Sequence, residues 1–281
     1  MKHNMTSTVT LNNKTTMPWF GLGTFLSPVG ETTQNAVRWA LEAGYRHIDT
    51  ARIYDNEQDV GQAIIESGVT RGDIFVTTKV WNDDQGDEAT LKAFDESLKR
   101  LKMDYVDLYL VHWPVTGLRN ETWKALIKLQ ALGKTRAIGV SNFMIRHLEE
   151  LLSKTDVVPA VNQIEISPFI QRKPLVEYCK RYGIVVESYS TLSRGKRTSD
   201  ERLTAIGNKY GKTAAQVMLR WALQSEIVII PKSVHKERII ENANIFDFEI
   251  SAADMTAINA MDENCSITPP SWEPETSDKW K

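Results

Sequence analysis

The stretch Ile74-Phe75-Val76-Thr77-Thr78-Lys79-Val80, then Leu91, Phe94, Leu98 and Leu101, then Val106-Asp107-Leu108-Tyr109-Leu110-Val111-His112-Trp113-Pro114, decides the fold. Its outer parts are short runs of β-branched, aromatic and aliphatic residues, which predict strands. Its middle carries apolar side chains three or four apart, so they share one face of a helix that needs a sheet to cover. Strand, helix and strand in that order join two parallel strands. The rhythm continues outward on both sides: strand-like runs begin near Trp19, Arg46, Ile74, Val106, Arg136, Val161, Ile184 and Ile227. The helical stretches Thr33 to Ala43 and Thr122 to Leu132 stop at Gly44 and Gly133, where a left-handed residue ends a helix.

Eight such units in 281 residues favour a closed (β/α)8 TIM barrel, an α/β fold, over an open doubly wound sheet. The glycine fingerprint of the open sheet fails here, because Gly21-Leu22-Gly23 begins it but Leu26 occupies the third glycine position. Ahead of the first unit, Thr8 to Leu11, Asn12-Asn13-Lys14 and Thr15 to Met17 predict a β-hairpin capping the barrel floor. No low-complexity linker interrupts the chain, so residues 1–281 are expected to form a single barrel domain.

Composition excludes several classes of function. At 42% hydrophobic and 25% charged, the chain is neither disordered nor collagen-like. Basic residues number 34 against 36 acidic ones, for a net charge of −2 and no polybasic run, so no nucleic-acid partner is expected. Cys179 and Cys265 are too few for a disulfide framework or a zinc cluster; no metal is expected, and a reducing cytoplasm is. Met1 to Thr10 is polar, and no window approaches the ~18 apolar residues of a membrane span, which predicts a soluble protein with no membrane partner.

In a barrel of this kind the chemistry lies just past the C-terminal ends of the strands. There the sequence places Asp49 with Tyr54 five residues on, then Lys79, then His112, and further round Ser141 with Asn142, Asn162 with Gln163, Tyr189, and Lys232 with Ser233. Singly, each has an ordinary reading: a solvated boundary lysine, a structural histidine, an aspartate capping the next helix. Packing alone does not call for a carboxyl, a phenol, an amine and an imidazole at one mouth. A phenol of pKa ~10 is a poor acid near neutrality. A neighbouring ammonium lowers that pKa, so Lys79 is expected to activate Tyr54, with Asp49 keeping the lysine charged. His112 would direct a carbonyl oxygen while the phenol protonates it. Such a set supplies only a proton, so the hydride of a carbonyl reduction must come from a cofactor.

Gly44-Tyr45-Arg46-His47-Ile48-Asp49-Thr50-Ala51 with Tyr54, Thr77-Thr78-Lys79-Val80-Trp81, His112-Trp113-Pro114, Ile138-Gly139-Val140-Ser141-Asn142-Phe143 and Ile230-Pro231-Lys232-Ser233 together resemble the aldo-keto reductases. The match runs in register from about Val9 to Glu263. It is closest to the short microbial branch that includes glyoxal and methylglyoxal reductases, 2,5-diketogluconate reductases and protozoal prostaglandin F synthases. The resemblance implies a catalytic tetrad of Asp49, Tyr54, Lys79 and His112, with Tyr54 as general acid. It also implies a nicotinamide held by Ser141, Asn142 and Gln163 under a stacked Tyr189, with Thr24 among the cofactor residues. Lys232, Ser233 and one face of the helix beginning near Lys236, carrying Arg238, Glu241 and Asn242, suit a 2′-phosphate, which points to NADPH.

The resemblance further implies pocket walls of Phe25, Trp81 and Trp113, with the tail as a partial lid, around a small-molecule carbonyl substrate: an aldehyde, a ketone or an α-dicarbonyl such as methylglyoxal. The chain departs from the family at Ser167, usually His, and at Thr191, usually Pro, which is expected to loosen the loops beside the cofactor. Tyr189 replaces a frequent Trp and keeps a flat π surface. The insert Val115 to Asn120 and the tail from Asn264, with Trp272 and Trp280, are expected to carry specificity. The expected state is a monomer or a weak homo-oligomer. An alternative on the same fold is a nucleotide-binding regulatory subunit with vestigial turnover, against which the intact tetrad argues. Gly207-Asn208-Lys209-Tyr210-Gly211-Lys212-Thr213 imitates a phosphate loop but has three residues between its glycines, not four, and reads as a turn between helices. No tyrosine is followed four residues later by lysine, so a short-chain dehydrogenase is excluded.

Overall fold

The computed structural model describes residues 3–281; Met1 and Lys2, which open the polar N-terminal stretch, lie outside them. The hairpin is present as β1 (Thr8–Thr10) and β2 (Thr16–Pro18), antiparallel with Val9 opposite Met17. Eight parallel strands follow: β3 (Leu22–Gly23), β4 (His47–Asp49), β5 (Phe75–Val80), β6 (Val106–Val111), β7 (Thr135–Ser141), β8 (Val161–Glu165), β9 (Val185–Tyr189) and β10 (Val228–Ile229). Each neighbours the next in the sheet. A bridge between Phe20 and Ile229 joins the two edges, with the Gly21 N–H donating to the Ile229 carbonyl (2.9 Å) and the Ile229 N–H to that of Trp19 (3.0 Å). The sheet therefore closes into a barrel. The run from Trp19 divides its work: its first residues make this seam, and only Leu22 and Gly23 pair with β4.

The helices α1 (Glu31–Glu42), α2 (Glu57–Glu66), α3 (Asp87–Leu101), α4 (Arg119–Ala131), α5 (Ile145–Leu152), α6 (Lys173–Arg181), α7 (Glu201–Tyr210), α8 (Ala214–Gln224), α9 (Lys236–Ala243) and α10 (Ala252–Asn259) complete the alternation. Gly44 (φ 93°) and Gly133 (φ 71°) adopt the left-handed conformation expected of helix stops after α1 and α4. α4 begins at Arg119, ahead of the expected Thr122, because the Arg119 N–H already bonds the Val115 carbonyl (3.0 Å). The imitation phosphate loop is the end of α7 and a turn into α8, where Thr213 and Gln216 form a capping box.

Side chains on a strand alternate between barrel interior and helix layer. Outward residues such as Val76 and Tyr109 pack with Phe94 and Leu98 of α3. Inward residues Phe75, Leu108, Ala137, Val161 and Val228 form a separate apolar floor, closed from below by Leu11 and Met17 of the hairpin. The hairpin is fixed there by the Asn12 amide donating to the Pro159 carbonyl (3.0 Å) and the Asn13 amide to that of Arg136 (2.9 Å). One step further along the same inward rows the character changes. Thr77 and Lys79 stand above Phe75, Gln163 above Val161, and Glu187 above Val185, with His47 and Asp49 completing a buried polar layer. No helix among the described residues is long and apolar enough to cross a membrane.

Candidate active site

At the C-terminal ends of the strands a cleft of about 950 Å³ opens above this layer. Lys79, wholly buried on β5, donates to Asp49 Oδ1 of β4 (2.7 Å), to the Thr50 carbonyl (2.8 Å) and to the Tyr54 hydroxyl (3.4 Å). Tyr54 reaches the lysine because the chain leaves β4 through one turn, Arg52–Tyr54, closed by the Tyr54 N–H on the Ala51 carbonyl (3.0 Å). Its ring lies 5.7 Å from that of His112 and 5.1 Å from that of Phe25. Three successive strands thus bring the four expected polar groups into one contact set.

The electrostatics differ from expectation at Tyr54. Burial first, then the Asp49 charge and, where it is ionised, Glu187, hold its hydroxyl well above the ordinary phenol range, where a lowered value was expected from Lys79. Loss of water around the ring outweighs the nearby ammonium, and the phenol is firmly protonated. Burial and Lys79 hold His112 well below the usual imidazole range, so its ring is neutral. Its buried Nδ1 has no partner among the described residues, which favours the N–H on Nε2, the end toward the cleft.

Residues 19–263 match the Aldo/keto reductase family. The chain belongs to the aldo/keto reductase family. The reductase is 51% identical over 269 residues to the glyoxal reductase of Bacillus subtilis (strain 168), covering 96% of this chain and 98% of that one. It is 49% identical over 262 residues to the 9,11-endoperoxide prostaglandin H2 reductase of Trypanosoma cruzi, covering 92% and 93%. A Bombyx mori aldo-keto reductase crystallised with NADP superposes with a TM-score of 0.91 at 37% identity, covering 99% and 100%. The chain is an oxidoreductase with the barrel of that family.

Most of the other residues singled out from the sequence fall along this reductase's cleft; Asn162 does not, its amide donating to the Phe143 carbonyl (2.8 Å). Ser141, Asn142, Gln163 and Tyr189 line one part and Lys232, Ser233, Arg238, Glu241 and Asn242 the other. The Tyr189 hydroxyl donates to Asn142 Oδ1 (2.7 Å), and the Asn142 amide to the His112 carbonyl (3.0 Å). Gln163 is turned further inward than expected: its Nε2 donates to Asp49 Oδ2 (2.8 Å) and Glu187 Oε2 (2.7 Å), which leaves its Oε1 for a ligand. Thr24 does not reach the cleft, because its hydroxyl donates to the Asp49 carbonyl (2.9 Å) beneath it. Phe25, Trp81 and Trp113 line the cleft.

The two family departures each make a local hydrogen bond. The Ser188 and Thr191 hydroxyls bond one another (2.6 Å), and Ser167 accepts from the Phe169 N–H (3.2 Å) through its hydroxyl. Arg194, which the sequence did not single out, extends from the loop after β9 to lie 5.3 Å over the Phe25 ring across the cleft. Tail residues Thr268, Pro269 and Trp272 also line it, Trp272 stacking 5.9 Å from Trp81. The tryptophans of the tail were the signal for that wall; nothing local marked Arg194.

Proposed function

We propose that this reductase converts aldehydes and ketones, small α-dicarbonyls among them, to alcohols with NADPH, the whole chain acting as one barrel domain and without a second copy. The observation that carries the reading is Lys79 touching both the Asp49 carboxylate and the Tyr54 hydroxyl beside a neutral His112, at the foot of an open cleft. The likeness to a glyoxal reductase supports the dicarbonyl preference. The donor set fits the cofactor: among the described residues neither Lys232 nor Arg238 is in an ion pair, although both line the cleft beside the start of α9. Two uncompensated cations at a helix N-terminus suit a phosphate group.

When bound, NADPH supplies the hydride. The His112 Nε2–H hydrogen-bonds the carbonyl oxygen and fixes its direction. The Tyr54 hydroxyl then gives its proton to that oxygen as negative charge develops. The Lys79 ammonium stabilises the phenolate left behind, and Asp49 and the Thr50 carbonyl keep that ammonium in place. Lys232 and Arg238 would hold the phosphate of the bound cofactor, while Ser141, Asn142 and the Gln163 side-chain carbonyl would orient its carboxamide.

The test is NADPH oxidation with methylglyoxal, phenylglyoxal and p-nitrobenzaldehyde by the wild type and Tyr54→Phe. Turnover is expected to fall about a hundredfold to ten-thousandfold in the variant while NADPH binding, followed by fluorescence, persists. Equal rates would reject Tyr54 as the acid.

A further inference from the structure

Beneath the Asp49–Lys79 pair lies a second carboxyl. Glu187 of β9 is wholly buried, and its Oε2 accepts from the same Gln163 amide that donates to Asp49. Its Oε1 has no hydrogen-bond partner among the described residues; His47 Nε2 stands 3.6 Å away. The titratable groups facing Glu187 are His47 and Asp49 of β4 and Lys79 of β5, with Tyr54 above them. Gln163 of β8 contributes an uncharged amide, and β10 sets Val228 opposite it.

One ammonium therefore stands among two carboxyls, and its hydrogen bonds go to Asp49 and not to Glu187. Burial raises the Asp49 carboxyl as well, but Asp49 has a donor on each oxygen, Lys79 on Oδ1 and Gln163 on Oδ2, and of the two carboxyls it is the one suited to the charged form. An ionised Glu187 would leave one oxygen bare in a water-free interior. A proton on that Oε1 removes the bare charge; the nearest ring nitrogen, His47 Nε2, lies 3.6 Å away and is already engaged by the Thr77 hydroxyl (3.1 Å), so it offers the carboxylate no second donor.

We propose that Glu187 is a neutral acid at neutral pH and a positioning residue for the Tyr54–Lys79 pair, setting the alkaline limit of the reaction. Protonated, it steadies the Gln163 amide against Asp49 without adding charge. Ionised, it adds a second negative charge below Lys79, draws the field of the ammonium away from Tyr54 and makes the phenol a weaker donor. Burial, then the Asp49 charge, push the Glu187 carboxyl up to about 8. Burial and Lys79 push His47 down to about 3, so His47 brings no counter-charge. The effect on rate rests on the reading of Tyr54 as proton donor; the protonation of Glu187 does not.

The experiment pairs two readouts on wild type and Glu187→Gln, a neutral variant of the same shape. Infrared difference spectroscopy of the protein alone is expected to show a carboxylic acid band that disappears with a midpoint near pH 8 in the wild type and is missing from the variant. The wild-type kcat for reduction is expected to fall about threefold or more between pH 7 and 9, and the variant's about twofold or less. Should Glu187→Gln fail to fold, carbon NMR of wild type labelled at glutamate carboxyls reads the same titration. No carboxyl titrating above about pH 6, or an alkaline fall unchanged in Glu187→Gln, would overturn the proposal. Activity surviving in Tyr54→Phe would instead overturn the proposed function and leave the carboxyl titration to be judged by itself.

Discussion

Tyr54 and Glu187 show how a side chain's chemistry follows from its surroundings more than from its neighbours in sequence. The ammonium beside Tyr54 is legible, since Asp49, Lys79 and His112 each end a strand-like run with a polar group where packing favours an apolar one. What is not legible is the loss of water that raises the phenol. Glu187 and His47 escape notice because they sit inside strand runs, yet each stands two residues before a recognised group, Tyr189 and Asp49, and so points to the same interior. Parity along the strand was the available signal. At this scale Arg238 carries a further prediction. Arg238→Ala is expected to weaken NADPH by about 1 to 3 kcal/mol through loss of a charge-assisted bond, and NADH by far less. Titration calorimetry with both cofactors checks it, and equal weakening would move the phosphate elsewhere.

Among the elements, the strands and helices were legible to within a few residues because a period of two and a period of 3.6 leave different marks. The tail was not, because its place is set by contacts far away in sequence. Glu165, at the end of β8, accepts from the Ser266 hydroxyl (2.7 Å), the Ile267 N–H (2.8 Å) and the Thr268 hydroxyl (2.8 Å). Arg172 pairs with Glu273 (2.7 Å), and His147 Nε2 donates to the Trp280 carbonyl (2.8 Å). These contacts hold Trp272 against Trp81 and Trp113 as a wall of the cleft. Glu165→Ala removes the shared acceptor of residues 266–268. Faster hydrogen exchange over 264–281 is expected, with a rise of about tenfold in KM for the carbonyl substrate and a smaller change in kcat. Unchanged exchange in the tail would show that Arg172 and His147 suffice to hold it.

The molecule as a whole should show a stability maximum near pH 6.5. Burial holds His47 down to about 3 and His147 down to about 4 in the folded state, while an unfolded histidine titrates near ~6.5. Between those values the unfolded chain binds more protons, so stability rises with pH. Arg197 and Arg202 hold Glu263 down to about 2, so its contribution is present above ~4.5 and is lost as pH falls through 2. Glu187 acts in the opposite sense: raised to about 8, it binds a proton in the folded state that the unfolded chain has released, and stability falls as pH rises toward 8. Melting temperatures from pH 4 to 9 are expected to climb, peak and decline, and Glu187→Gln, which removes a loss running from about pH 4.5 to 8, should steepen the climb and flatten the decline. A decline that persists in the variant would assign it to another group.

The hairpin stopper under the barrel gives the interior one last property. With Leu11 and Met17 packed into the apolar floor, the polar layer is backed by hydrocarbon below and, among the described residues, faces the cleft at the mouth through which reactants pass. A reactant that fills the mouth is therefore expected to slow the exchange of the Glu187 proton with solvent, which hydrogen-exchange-sensitive infrared spectra with and without bound cofactor would read.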